Sequence, residues 1–138
     1  MSLTGPITVL VIGTLPPPIG GAGVSLQQLV AALRVRDDIL VTMVNTGGVR
    51  GHPIVGPFRF LAIACRVFWG AFRSDVVSLQ PVPTGLPIMG PIVWTSARLW
   101  RKPFMIRMFG GQNYLELTGL AGALARWFIR HCDLYLAE

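Results

Sequence analysis

The sequence predicts an α/β fold organised on a doubly wound, all-parallel sheet. Three observations carry this. Five short apolar runs alternate with four longer segments of helical character. The runs show little polar alternation, as befits strands buried on both faces. Glycine-rich loops follow the first and fourth runs, where a strand would hand over to a helix.

The first run, residues 7–13 (ITVLVIG), reads as a buried strand. TLPPPIGGAG follows, stiffened by Pro16, Pro17 and Pro18 and ending in Gly20, Gly21 and Gly23. Proline fixes φ and removes donors, whereas glycine lets the backbone come close to another group. VSLQQLVAALRV then places Leu26, Leu29, Val30 and Leu33 at i, i+3, i+4 and i+7, an apolar stripe on a helix. A strand entering a helix through such a loop leaves free N–H groups at the helix N-terminus, where an anion can sit. A plain βα turn, with glycine serving only the geometry, is the other reading.

Residues 39–45 (ILVTMVN) form the second expected strand, and a Gly- and Pro-rich loop occupies 46–57. A helix is expected over 58–73, with Pro57 suited to its first turn. Its arginines, Arg59, Arg66 and Arg73, are seven apart and share one face. They read either as a solvated face or as a row for anionic lipid headgroups, which Arg98, Arg101, Lys102, Arg126 and Arg130 would extend. The third strand is 75–80 (DVVSLQ), and a Pro-rich loop leads to a helix over 88–100. Lys102-Pro103 ends that helix, and 104–109 (FMIRMF) is the fourth strand. Gly110, Gly111, Gln112 and Asn113 make the second glycine loop, followed by helix through Arg130 and a fifth strand over 133–137. A chain stopping on a strand is expected to be the first half of something larger. Right-handed crossovers put helices on both faces of such a sheet, and ligands sit beyond the carboxyl ends of its strands. Both glycine loops would lie on that edge.

Length and composition narrow the classes. At 138 residues, 1–138 is one domain. A hydrophobic content of 52% and a mean hydropathy of +0.58 exclude disorder and raise the membrane question. The charge-free run 76–97 is long enough to span a bilayer, but Pro81, Pro83, Pro87 and Pro91 break it as a continuous helix. The start lacks the basic and cleavage regions of a signal peptide. Cys65 and Cys132 sit in apolar patterns without metal spacing and read as reduced core thiols of a cytoplasmic protein. Trp69, Trp94, Trp100 and Trp127 likewise read as core, and His52 and His131 as structural, having no visible carboxylate or nucleophile partner. The net charge of +6, carried almost wholly by arginine, favours anionic partners. Without a nucleic-acid motif, a lysine-rich tail or zinc spacing, nucleic acid is not among them.

The glycines do not fit two common phosphate motifs. G-x-G-x-x-G belongs hard against the first strand, whereas here the proline loop intervenes and Leu26 stands at the third glycine. The second strand ends in Asn45 rather than an acid that would hold a ribose. No lysine follows the glycines, so a P-loop is excluded as well. No D-x-D is present, since Asp37 and Asp38 are adjacent, and no metal dependence is expected.

PPPIGGAGVSLQQLVAAL resembles the opening of GT-B glycosyltransferases of the family-4 type. DVVSLQ, KPFMIRMFGGQN and CDLYLAE resemble later pieces of the same N-terminal domain, so the likeness covers essentially the whole chain. It implies a Rossmann-like domain facing a C-terminal partner domain across a cleft. In that family the partner domain holds most of the nucleotide-sugar through paired glutamates, a motif this sequence lacks. The resemblance assigns Gly20, Gly21, Ala22 and Gly23 to the donor diphosphate, through backbone N–H groups facing charge on the leaving group. It places Gly110, Gly111, Gln112 and Asn113 near the sugar and acceptor. It assigns no catalytic residue and no cofactor beyond a nucleoside-diphosphate sugar as co-substrate. Many relatives carry a histidine just before the second glycine loop; Phe109 stands there, so that contact is not carried over.

The implied activity is transfer of a hexosyl group from a nucleoside-diphosphate sugar to a glycan or lipid-linked acceptor, as in polysaccharide biosynthesis. This chain would be the acceptor-side half, inactive alone, in the cytoplasm and peripheral on the inner leaflet. The alternative is a non-catalytic Rossmann-like binding module at a membrane.

Overall fold

The computed structural model describes residues 5–16, 20–47, 55–82, 85–108 and 117–137. In chain order the elements are β1 (Ile7–Gly13), α1 (Gly21–Arg34), β2 (Ile39–Asn45), α2 (Val55–Arg73), β3 (Val76–Gln80), α3 (Leu86–Leu99), β4 (Phe104–Met108), α4 (Gly119–His131) and β5 (Leu134–Ala137). The strands form one sheet in the order β2-β1-β3-β4-β5, every pair parallel. The expected doubly wound, Rossmann-like α/β fold is therefore present.

Side-chain alternation divides the sheet into two faces. Leu10 and Ile12 of β1, Val77 and Leu79 of β3, and Phe104, Ile106 and Met108 of β4 point to one face. There they meet Ile63, Val67 and Ala71 of α2, Val93 and Ala97 of α3, and Ala125 and Phe128 of α4. On the other face, Val11 packs with Leu26 and Val30 of α1, flanked by Val9, Val41 and Met43. Each such buried aliphatic or aromatic side chain contributes roughly 1.5–3 kcal/mol. Of the described helices, three thus share one face and α1 takes the other.

An aspartate opens two of the strands in the same way. Asp75, just before β3, accepts the Thr8 N–H at 2.8 Å, and its own N–H donates to the Thr8 carbonyl at 2.7 Å. Asp133, just before β5, accepts the Phe104 N–H at 2.8 Å and returns its N–H to the Phe104 carbonyl at 2.8 Å. Each carboxylate extends the parallel pairing by one backbone donor.

Several expectations are corrected. α1 begins at Gly21 and α2 at Val55, each three residues before the apolar periodicity. α3 begins at Leu86, with Pro87 in its first turn, where a missing N–H costs nothing. Cys65 is exposed on the outer side of α2, not a core thiol. Cys132 is half-buried; burial pushes its thiol up, with the Asp133 carboxylate adding to the shift. Trp69 and Trp127 are exposed rather than core. Among the described residues, no helix is long and apolar enough to cross a membrane.

Candidate functional site

Right-handed crossovers fix where a crevice can open. The chain leaves β1 toward β2 by way of α1 on one face. It then crosses back over β1 to β3 by way of α2 on the other. The winding reverses between β1 and β3, so the crevice lies beyond Gly13 and Gln80, the paired last residues of those strands.

α1 points its N-terminus at this edge. Gly20 caps it in an extended conformation (φ −142°, ψ 156°), and among the described residues no side chain supplies a capping hydrogen bond. Val24 N–H makes the first helical bond, to the Gly20 carbonyl at 3.1 Å. The N–H groups of Gly21, Ala22 and Gly23 precede that bond and have no acceptor within the helix. The first turn carries no acid, so the positive end of the helix dipole is left without a covalent counter-charge.

The glycines have separate reasons. A Cβ on Gly20 or Gly21 would meet nothing within 4 Å, and both residues are exposed. A Cβ on Gly23 would stand 3.2 Å from Cδ and 3.3 Å from Cγ of Pro16, so the proline loop lies against the first turn. None of the three has positive φ. They therefore do not mark a strained turn: Gly23 permits close packing, and Gly20 and Gly21 keep the helix end bare. The stretch expected as loop is the first helical turn itself.

Asn45 holds the neighbouring loops together. Its Oδ1 accepts the Leu15 N–H at 3.1 Å and the Gly47 N–H at 2.9 Å. Thr46 N–H donates to the Gly13 carbonyl at 2.9 Å, and the Thr14 and Thr46 hydroxyls lie 3.0 Å apart. The chain leaving β1 is thereby tied to the chain leaving β2. The sequence reading weighed Asn45 only as a missing acid. Its position, an Asn at a strand-to-loop junction, was the available sign of a backbone clamp.

Gln80 was also missed. It is only 4% exposed, and among the described residues neither its Oε1 nor its Nε2 has a hydrogen-bond partner. It ends β3 on the α1 side of the sheet, beside Gly13. Ser78, two residues earlier on that side, also has a buried hydroxyl with no partner among the described residues. Buried polar groups are nearly always paired, so this corner retains unused donor and acceptor capacity.

The second glycine loop, Gly110, Gly111, Gln112 and Asn113, lies outside the described residues, as do Phe109 and His52. β4 ends on the same carboxyl edge as Gly13 and Gln80. The described acids are elsewhere: Asp37 and Asp38 precede β2, Asp75 precedes β3 and Asp133 precedes β5. Arg36 hydrogen-bonds Asp38 at 2.7 Å and holds that exposed carboxyl below the usual range. Arg98, Arg101 and Lys102 gather with Asp133 at this amino edge rather than extending the arginine row of α2. His131, at the end of α4, stacks on Trp127 with ring centres 4.1 Å apart. Among the described residues there is no group of three or more potential metal ligands. Among the described residues this edge thus offers main-chain N–H groups, suited to holding an anion, with the buried Gln80 carboxamide beside Gly13.

The chain matches no family model and no curated protein.

Proposed function

We propose that this domain is the acceptor-side half of a glycosyltransferase that moves a hexosyl group from a nucleoside-diphosphate sugar to a glycan or lipid-linked acceptor. The observation that supports it is the bare N-terminus of α1 at the switch point. Three N–H groups there lack helical acceptors, and Gly20 and Gly21 leave open space before them. In this reading Gly20, Gly21, Ala22 and Gly23 receive the donor diphosphate, and their amides face the charge that grows as the sugar leaves. Gly110, Gly111, Gln112 and Asn113 take the acceptor side, and a second α/β domain with paired glutamates completes the donor site. The setting is cytoplasmic, against an anionic membrane surface.

Titration calorimetry with a nucleoside-diphosphate hexose at low and high salt tests the assignment. We expect weak binding that Gly21→Val lowers further, because the added side chain fills the open approach. Unchanged affinity in that variant counts against it.

A second reading has its own support. Among the described residues no carboxylate or histidine stands at the carboxyl edge, as in a binding module without catalysis. Retained nucleotide-sugar binding, with no sugar transfer even when the C-terminal half is supplied, would favour that module.

A further inference from the structure

α2 is apolar on two sides. Ile63, Val67 and Ala71 are buried against the sheet. Phe58, Leu61, Cys65, Trp69 and Phe72 recur at i, i+3, i+7, i+11 and i+14 on the side away from it, and all are exposed. Phe58 is 72% and Trp69 54% exposed. Single exposed apolar side chains are ordinary, but a continuous row marks a surface that something covers. Ile88 and Leu99 of α3 and Leu120 and Trp127 of α4 are exposed as well, and Leu120 and Trp127 line an open groove with Pro91 of α3. An open apolar groove lined by Phe68, Trp69, Pro91 and Ile92 joins α2 to α3.

The charges carried by the three helices themselves are all of one sign. α2, α3 and α4 contain no Asp or Glu. Arg59, Arg66 and Arg73 run along one flank of α2, and Arg126 and Arg130 lie exposed on α4. The Arg73 guanidinium sits 5.0 Å from the centre of the Trp69 ring.

We propose that the outer face of α2, α3 and α4 docks on an anionic lipid bilayer, with α2 lying in the headgroup layer. Phe58, Trp69 and Phe72 enter the acyl boundary, and the arginines reach along the flank to lipid phosphates. The charge pattern selects this occupant. A second copy would bring the arginines of these helices against one another, and the helices carry no acid to pair with them. An interface of exposed Trp and Phe beside arginines is the composition that partitions to a bilayer surface. The attachment is peripheral. It is independent of the sugar-transfer reading, because this face is opposite α1 and away from its N-terminus.

Co-sedimentation of the whole chain with phosphatidylcholine vesicles, and with vesicles also containing phosphatidylglycerol, tests the proposal. We expect pelleting with the anionic vesicles only, a blue shift of tryptophan emission, and weakening as salt shortens the screening length. Each basic side chain at an anionic surface contributes roughly fivefold, so Arg59→Gln/Arg66→Gln/Arg73→Gln should lower partitioning about a hundredfold. Quenching of tryptophan by brominated lipid reads insertion without any variant. Recovery in the supernatant with anionic vesicles, or equal binding to neutral ones, would overturn the proposal. So would a dimer in solution that Trp69→Ser disperses.

Discussion

Gly13 and Gln80 pair across β1 and β3 with no room for a side chain on the glycine. A Cβ on Gly13 would stand 3.1 Å from the Gln80 carbonyl oxygen and 2.6 Å from Cδ2 of Leu26. The Leu26 methyl can rotate away, but the carbonyl belongs to the sheet. Gly13→Ala should therefore destabilise the domain by about 1–3 kcal/mol through overpacking where α1 meets β1. Urea denaturation reads this as a lower midpoint at unchanged slope. A midpoint equal to the wild type would show that α1 stands further from the strand tips than described.

The Gln80 side chain separates stability from binding. Its carboxamide is buried without a partner among the described residues, so Gln80→Leu should leave stability equal or raise it by about 1 kcal/mol. The same variant should bind a nucleoside-diphosphate hexose more weakly, since it removes the donor and acceptor at the switch point. A loss of stability would mean that Gln80 has a protein partner in solution. Unchanged affinity would take Gln80 out of the site.

The C-terminus of α3 holds a non-glycine residue where glycine is usual. Lys102 N–H donates to the Ala97 carbonyl at 2.8 Å, and Arg101 N–H donates to the Arg98 carbonyl at 3.1 Å. That pair of bonds is a Schellman cap, with Arg101 as its left-handed residue at φ 53°. A side chain in this conformation costs roughly 1 kcal/mol relative to glycine. Arg101→Gly should raise the denaturation midpoint accordingly. A lower midpoint would mean that the Arg101 side chain contributes more, near Asp133, than its backbone costs.

The sheet was legible because its strands are uninterrupted apolar runs separated by glycine, proline and helical stripes. Helix starts were less so. Gly21, Ala22 and Gly23 look like loop, yet backbone hydrogen bonds from Val24 onward make them the first turn of α1. Periodicity also cannot say which of two apolar sides of a helix meets the sheet. In α2, Val67 is fully buried while Phe58, of the same apolar class, is mostly exposed. Cys65 was misplaced for the same reason. The clamp made by Asn45 and the burial of Gln80 were not legible, because a carboxamide reveals its role only through what surrounds it. The second glycine loop, from Gly110 to Asn113, lies outside the described residues, so its placement beside α1 stands as a proposal.

The bare N-terminus of α1 is the element on which the functional account rests. The most direct test is a ¹H–¹⁵N correlation spectrum of the whole chain during titration with inorganic pyrophosphate. The amide resonances of Gly21, Ala22 and Gly23 should move furthest and saturate together, and Gly21→Val should suppress the response. If those three resonances stay fixed while others shift, such as those of Arg101 and Lys102 at the opposite edge, the helix end is not the phosphate site.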